Sequence, residues 1–239
     1  MTTGMADMKE LYDAGAHVAL ARTRRHPTAT AFVHSTKDRV DIFNLEETAR
    51  RLNSAIEFVK DLARSGKSIV FLGGKHEVQD IIRSAATRIG VPHVAGRWIG
   101  GTLTNFKNIR KRVDRLEKLM EEREKGELEK YTKRERLLID REIEELLNRF
   151  GGIVNLRDLP GALFIVDTRH EDTVVREAKQ MHVPVVALAS SDCDFSLIQY
   201  PIPANDTSVR SVRFIVEQVA DAYVEGKKVA SAKAHVGDK

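Results

Sequence analysis

The sequence predicts an α/β protein: a mostly parallel sheet with helices on both faces, interrupted by an inserted helical hairpin. Two observations support this prediction. Apolar runs of strand length alternate with amphipathic helical runs in both halves of the chain, and a highly charged segment with helical periodicity separates the halves. With 239 residues, of which 42% are hydrophobic, the chain is long enough for one large domain with an insertion.

The first half of the chain provides two strands of the predicted sheet and a third short one. A strand is predicted over residues 38–43, and Asn44 caps the helix that follows and ends at Gly66. The continuous apolar run SIVFL, residues 68–72, indicates a strand that is buried on both faces. A Gly-Gly turn, a helix over residues 77–89 and the short strand VPHVA complete this half.

The second half repeats the same alternation. Strands are predicted at residues 162–166 and 184–188, with a helix over residues 173–181 between them. A last helix is predicted over residues 207–225, with apolar side chains spaced by three or four residues. This order of elements predicts parallel strands joined by right-handed crossovers.

The segment between the halves predicts an antiparallel coiled-coil hairpin. Its apolar residues step by four, three and four in two runs: Ile109, Val113, Leu116 and Met120, then Ile139, Ile143, Leu146 and Phe150. Thr132 and Glu135 form a capping box for the second helix. We therefore expect residues 1–103 and 151–226 to form one α/β domain, residues 104–150 the inserted hairpin, and residues 227–239 a disordered tail. The hairpin is either a solvated structural arm or a docking surface.

Composition narrows the classes of function. No run of the sequence approaches the roughly 18 apolar residues of a membrane-spanning helix, and no secretory signal is recognisable, so no membrane contact is expected. A single cysteine, Cys193, fits a reducing compartment, and we expect a cytoplasmic protein. The net charge of +4 does not by itself indicate nucleic acid, but cations cluster at residues 22–25 and 107–112.

The carboxyl ends of the predicted strands are the first place to look for an enzyme site. GGKHE, with Lys75, is either a phosphate-binding turn or only a tight connection between strand and helix, and Asp167 is an isolated carboxylate. No complete catalytic constellation is present, and His170-Glu171-Asp172 does not have HExxH spacing. A metal site built from His17, His26 and His34, which lie eight or nine residues apart, would require the three to converge in the fold. We therefore predict no catalytic residue, no metal and no cofactor, with a nucleotide- or phosphosugar-binding enzyme as the alternative.

The stretch RWIGGTLTNFKNIRKRV, residues 97–113, favours RNA binding. Its glycines allow a sharp turn, its short polar side chains suit phosphate and ribose, and its cations supply charge. Trp98 either stacks on a base or packs under the loop. The predicted RNA-binding residues here are Arg97, Trp98, Gly100, Gly101, Thr102, Thr104, Asn105, Lys107, Arg110 and Lys111. The basic segment with Arg22, Arg24 and Arg25 adds phosphate contacts.

Several of these stretches resemble the S-two family of small-subunit ribosomal proteins, in its bacterial or organellar form. The similarity runs from RWIGGTLTNFKNIRKRVDRL through FGGIVNLRDLPGALFIVDTRHEDTVVREAKQMHVPVVAL to YPIPANDTSVRS, and spans the chain from about Met8 to Gly226. Asn205, Asp206 and Arg210 match a family segment in which Ala204 replaces the usual glycine. The N-terminal segment GAHVALARTRRHPTAT and the segment ASSDCDFSLIQ depart from the family pattern.

The resemblance implies a flavodoxin-like three-layer α/β/α domain with a coiled-coil hairpin and no catalysis. It also implies a structural constituent of the small ribosomal subunit that contacts small-subunit ribosomal RNA, joins late in assembly and helps to recruit the S-one protein. Asn205 and Arg210 enter the predicted RNA-binding set on this ground.

Overall fold

The computed structural model describes residues 8–236, so that residues 1–7 of the predicted domain and residues 237–239 of the predicted tail lie outside the described residues. The helices are α1 (Met8–Asp13), α2 (Leu45–Arg64), α3 (His76–Ile89), α4 (Phe106–Glu124), α5 (Lys133–Phe150), α6 (Asp172–Gln180) and α7 (Val209–Val236). The strands are β1 (Val18–Ala21), β2 (Val33–Lys37), β3 (Val40–Phe43), β4 (Ile69–Leu72), β5 (His93–Val94), β6 (Ala162–Val166), β7 (Val185–Ala189) and β8 (Tyr200–Pro203).

Five of the strands form a parallel sheet in the order β5-β4-β6-β7-β8. Counted along the chain this is the order 2-1-3-4-5, which is the flavodoxin-like arrangement, so the predicted fold class is confirmed. The strand β8 was not predicted, because its sequence YPIP carries two prolines. Proline is tolerated there because β8 lies at the edge of the sheet, where its missing N–H costs no ladder bond.

The parallel sheet separates two hydrophobic clusters. Every residue of β4, β6 and β7 is buried, and alternate side chains point to opposite faces. On one face, Phe71 and Phe164 pack beneath α2, α3 and α7. On the other face, Leu72 and Ile165 pack against α6 and the base of the hairpin. The hairpin therefore covers part of the sheet and is not a separate domain attached by a linker.

The predicted strand at residues 38–43 belongs to a second sheet. The strands β1, β3 and β2 form a small antiparallel sheet, and β2 joins β3 through a two-residue turn at Asp38 and Arg39. Both turn residues have positive φ, as a tight hairpin with the twist of its strands requires. The expectation of a single parallel sheet is thus corrected, because strands this short and polar on one face pair locally.

The hairpin consists of α4 and α5, and the Thr132–Glu135 capping box is present. One predicted seam position is wrong: Leu119 is buried, whereas Met120 is 37% exposed. A final step of three residues from Leu116 keeps Leu119 on the buried face, and Leu128 of the connecting turn is buried near the tip.

The last helix, α7, runs past Gly226 to Val236, into the segment for which a disordered tail is predicted from residue 227. Gly226 does not stop the helix; it allows close packing on α2. A Cβ atom at this position would lie 2.5 Å from the carbonyl oxygen of Lys60 and 2.7 Å from the Cβ of Ala63. Within residues 8–236, no helix combines the length and the apolar character needed to cross a bilayer.

Candidate nucleic-acid interface

The loop that joins β5 to α4 is organised by one buried carboxylate, that of Glu177 on α6. Its Oε1 accepts hydrogen bonds from the backbone N–H of Gly101 at 2.7 Å and the indole N–H of Trp98 at 3.4 Å. Its Oε2 accepts from the N–H of Leu103 at 3.0 Å and from the N–H and hydroxyl of Thr104 at 3.3 and 3.4 Å. The loop is therefore wrapped around Glu177.

Sequence reasoning missed Glu177, which lies more than 70 residues along the chain from the loop that it holds. One feature of the sequence could have identified it: Glu177 is an acid on an apolar helix face, since it follows Val174 by three residues and precedes Ala178. A carboxylate on such a face needs hydrogen-bond donors from elsewhere in the fold, and the sequence alone does not say which.

The tryptophan of the loop packs inward. Trp98 is 7% exposed and belongs to the hydrophobic cluster that contains Leu103 and Ile109. The second of the two readings of Trp98 is the one found, because its ring lies under the loop with its N–H on Glu177. Thr102 is likewise buried and donates its hydroxyl to the carbonyl of Ile99. Both residues shape the loop from within, and their RNA contacts stay predictions.

The glycines of the loop have different functions. Gly101 has a φ of +90°, a conformation that side chains disfavour, and this turns its N–H towards Glu177. Gly100 is exposed beside it. The chain then enters α4 at Asn105, whose N–H donates to the carbonyl of Gly101 at 2.8 Å. The turn thus fixes the position at which α4 begins.

Exposed cations surround this fixed turn. Arg97, Lys107 and Lys111 are exposed, and within residues 8–236 none of the three has a carboxylate partner. Thr104 and Asn105 are exposed between them. The first turn of α4 has no acidic residue, so the positive end of the helix dipole is not offset there. We call the exposed set Arg97, Gly100, Thr104, Asn105, Lys107 and Lys111 the root surface.

Arg110 is placed differently from the other predicted RNA-binding residues. Its guanidinium donates to Asp114 at 2.7 Å, to Glu117, and to the carbonyl oxygens of Val154 and Leu156 at 2.7 and 3.3 Å. The side chain is 14% exposed. The donors of Arg110 thus already bind the chain that returns from the hairpin, and its direct RNA contact stays a prediction.

The basic N-terminal segment also contains both an arginine that is bound within the fold and arginines that are exposed. Arg25 makes a bidentate pair with the buried Asp41, with Nε to Oδ2 at 2.6 Å, and also contacts Thr36. This pair raises the pKa of Arg25, chiefly through the hydrogen bond to Asp41. Arg25 therefore stabilises the small antiparallel sheet, and its RNA contact stays a prediction. Arg22 is exposed, and Arg24 is exposed while pairing with Asp192 at 3.3 Å.

The two residues taken from the YPIPANDTSVRS segment also differ. The side-chain oxygen of Asn205 accepts from the N–H groups of Thr207 and Ser208 at 2.9 and 3.0 Å, and its amide donates to the carbonyl of Gly15. Asn205 thus ties the N-terminal segment to the start of α7, and its RNA contact stays a prediction. Arg210, in the first turn of α7, is exposed.

The carboxyl edge of the parallel sheet, where an enzyme of this fold would bind its ligand, is closed by its own ion pairs. The ammonium of Lys75 lies 2.7 Å from Asp167 and 3.0 Å from Asp206. The N–H of Gly74 donates to Glu171 instead of facing an anion, and a Cβ at Gly74 would lie 2.4 Å from that carboxylate. The Gly-Gly-Lys turn is therefore a tight structural connection, because two carboxylates already occupy the lysine.

The pKa values at this edge follow from burial and from Lys75. Burial raises the pKa of Asp206, and the neighbouring charge of Asp167 adds to this effect. Burial opposes ionisation of Asp167 as well, but the hydrogen bond and charge of Lys75 outweigh it and lower the pKa of Asp167. Burial raises the pKa of Cys193 to about 12, so this thiol is inert. Within the described part of the chain, no cluster of three or more potential ligands can hold a metal ion.

The fold and these contacts define a class of protein: an α/β domain with a cation-rich hairpin root, whose strand ends are filled by the chain itself. A family model described as Ribosomal protein S2 matches residues 11–226. The small ribosomal subunit protein uS2 of Coprothermobacter proteolyticus is 39% identical over 221 residues, which cover 92% of this chain and 82% of the relative. The protein of the same name from Roseiflexus castenholzii is 41% identical over 230 residues, covering 95% and 88%. That of Dictyoglomus thermophilum is 37% identical over 227 residues, covering 95% and 92%.

The chain belongs to the ribosomal protein S2 family. It is accordingly a structural protein of the small ribosomal subunit, of bacterial type, and acts in the cytoplasm as part of the ribosome. The family is not enzymatic, so the alternative of a nucleotide- or phosphosugar-binding enzyme was wrong.

Proposed function

We propose that the chain binds small-subunit ribosomal RNA through the root surface. The observation that carries this proposal is a contrast within one loop. Glu177 holds the loop by five hydrogen bonds, three from backbone N–H groups and two from side chains. Arg97, Lys107 and Lys111 face solvent without a carboxylate partner among the described residues. A rigid, unpaired group of cations is what an RNA backbone requires, because little order is lost on binding.

The polar residues of the root surface complement its charge. Lys107 and Lys111 lie one turn apart on α4, at the positive end of the helix dipole, and would neutralise phosphates. Thr104 and Asn105 present short hydrogen-bonding side chains to ribose hydroxyls, which distinguish RNA from DNA. Arg22, Arg24 and Arg210, which are exposed elsewhere on the domain, supply further phosphate contacts.

Charge reversal on α4 tests this proposal with a control on the same helix. Lys111→Glu changes the root surface, whereas Lys118→Glu makes the same change two turns towards the tip, on the same face. In filter binding to small-subunit ribosomal RNA, Lys111→Glu should weaken affinity by about ten-fold and reduce the slope of log K against log salt. The Lys118→Glu variant should stay within about two-fold of the unaltered chain. Equal effects of the two variants would remove the root surface from the proposal.

We further propose that the chain joins late in assembly and contacts neighbouring small-subunit proteins, including the S-one protein, as the family resemblance implies. The arm of the hairpin offers apolar surface for a protein neighbour, since Leu137 and Leu138 on α5 are 52% and 57% exposed. Small subunits isolated from cells depleted of this chain should retain less S-one protein, measured by quantitative mass spectrometry. Unchanged S-one occupancy would reject that part of the proposal.

A further inference from the structure

We propose that a second RNA contact lies in a basic cavity behind the root surface, and that this cavity takes a backbone phosphate of an unpaired nucleotide. The cavity, which we call the junction cavity, lies between α3, the strand β5 and the end of α5, and its volume is about 390 Å³. Its polar side chains are those of Arg83, Thr87, His93, Arg97, Asn148 and Arg149. The inference rests on the proposed RNA binding and adds a site to it.

The charged side chains that line the junction cavity are all positive. Arg83, Arg97 and Arg149 come from three different elements, and no acidic residue lines the cavity. The partners of two of these arginines lie outside the lining. Arg83 pairs with Asp80, which is 91% exposed, at 3.2 Å, and Arg149 pairs with Glu145 at 2.8 Å. Exposed pairs of this kind are weak and screened by salt, so both guanidinium groups remain available to a phosphate.

His93 lies inside the junction cavity, where the charge of Arg83 acts on its ring. Its ring is half-buried, and its pKa is lowered first by burial and then by the charge of Arg83. The backbone hydrogen bond with Val91 acts in the opposite direction, and Arg97 and Arg149 line the same cavity. An anion bound among these arginines would oppose their effect and raise the pKa of His93. The ring is therefore a probe that lies within the proposed site.

The size of the junction cavity favours a nucleotide over a free ion. Ligand pockets range from about 300 to 1,000 Å³, so 390 Å³ holds a phosphate with part of its nucleotide. Arginine binds phosphate by two parallel hydrogen bonds, and Thr87 and Asn148 add neutral donors and acceptors for a ribose. Proteins recognise RNA mostly at unpaired nucleotides, whose backbone can enter such a cavity.

The test compares substitutions in two matched arginine–aspartate ion pairs, one at the junction cavity and one away from it. Arg83→Gln removes a cavity charge, and Arg64→Gln removes a charge from the end of α2, where Arg64 pairs with Asp61 in the same i, i+3 geometry. In binding to small-subunit ribosomal RNA between about 50 and 200 mM salt, Arg83→Gln should weaken affinity by about five-fold and lower the salt slope by about 0.7–0.9. Arg149→Gln should act in the same way. Arg64→Gln should match the unaltered chain.

The NMR signals of His93 provide a second readout on the full-length chain. Addition of the RNA should shift the His93 ring resonances and raise its pKa, and the Arg83→Gln variant should lose this response. Inorganic phosphate and a mononucleotide, added in place of RNA, should act only at far higher concentration. If either saturates the His93 shift while RNA leaves it unchanged, the cavity binds a free phosphate compound and the inference is overturned.

The outcomes separate this inference from the proposed function. Unaltered RNA affinity and salt slope in Arg83→Gln and Arg149→Gln, together with weakened binding by Lys111→Glu, would overturn the junction cavity and leave the root surface standing. Failure of the unaltered chain to bind the RNA at any of these salt concentrations would overturn both.

Discussion

The carboxyl edge of the parallel sheet and the root of the hairpin both collect charged side chains, but the two regions use them differently. At the sheet edge, Lys75 is held between Asp167 and Asp206, and all three are at least partly buried. At the hairpin root, Lys107 and Lys111 are exposed, and the structure of residues 8–236 gives them no carboxylate partner. One region satisfies its charges internally, whereas the other presents them to solvent.

This difference separates structural charges from charges that are available to a partner. A fold with the 2-1-3-4-5 strand order usually binds its ligand at the sheet edge, yet here an internal ion network fills that edge. The exposed cations without carboxylate partners lie instead at the hairpin root, where we propose that RNA binds. Arg110 marks the boundary, since it lies next to Lys111 in the sequence and is bound by Asp114 and Glu117. The partners of a cation, and not its position in a basic run, decide its role.

The largest loss of stability is expected from substitution of Glu177, which connects α6 to the hairpin root. Glu177→Ala would leave the N–H groups of Gly101 and Leu103 without their acceptor in a buried site, at a cost of about 1–3 kcal/mol for each orphaned group. We expect a loss of about 3 kcal/mol or more in the free energy of unfolding, measured by urea denaturation. Glu177→Gln keeps one accepting oxygen and should lose less. A loss below about 1 kcal/mol in Glu177→Ala would show that the loop does not depend on this carboxylate.

The sheet edge should respond unequally to removal of its two carboxylates. Asp167→Asn takes away the carboxylate whose pKa Lys75 lowers, so we expect a loss of about 2 kcal/mol in the free energy of unfolding. Asp206→Asn removes the carboxylate whose pKa burial raises, and should change stability by less than about 1 kcal/mol. Thermal denaturation of both variants at neutral pH measures the difference. Equal losses would mean that Lys75 is shared evenly between the carboxylates.

Arg110 and Lys111 are neighbours in sequence, and substitution of each should affect a different property: protein stability for Arg110 and RNA affinity for Lys111. Arg110→Gln breaks the contacts to Glu117 and to the carbonyl of Val154, and should reduce the free energy of unfolding by about 1–2 kcal/mol. Lys111→Gln should leave stability within about 0.5 kcal/mol and weaken RNA affinity instead. Denaturation and RNA binding are measured on both variants. Direct participation of Arg110 in RNA binding would appear as an affinity loss as large as that of Lys111→Gln.

The smallest expected effect concerns how protein stability depends on pH. The contributions of Asp167 and Asp206 should change with pH in opposite directions. The contribution of Asp167 is present above its ordinary pKa of 3.8 and is lost as pH falls through its lowered folded pKa. The contribution of Asp206 is largest below 3.8 and declines as pH rises through its raised folded pKa. The stability of Asp206→Asn relative to the unaltered chain should therefore improve as pH rises from about 4 towards 7. Melting temperatures across this range would contradict the assignment if that difference were constant.

The candidate site was predictable in outline and not in detail. The run RWIGGTLTNFKNIRKRV identified the root, because its glycines, short polar residues and cations lie together in sequence. The same run gave no sign that Trp98 packs inward or that Arg110 binds the returning chain. Both outcomes depend on residues far away, Glu177 in one case and Val154 in the other. Arg83 and Arg149 were not predicted at all, since only the fold brings them to one cavity.

The sequence by itself determined the strands β4, β6 and β7, the hairpin and the helices α2, α3, α6 and α7, because apolar periodicity and caps act over a few residues. The short helix α1 was not predicted. Only the tertiary structure decided which charges are satisfied. Gly226, which the sequence suggested as the end of α7, proved to be a point of contact with α2. The strand β3 joined a sheet of its own, and Lys75 was enclosed by two carboxylates from distant loops. The physical reason is range: local patterning sets elements, whereas ion pairing and close packing depend on groups that meet only after the chain has folded.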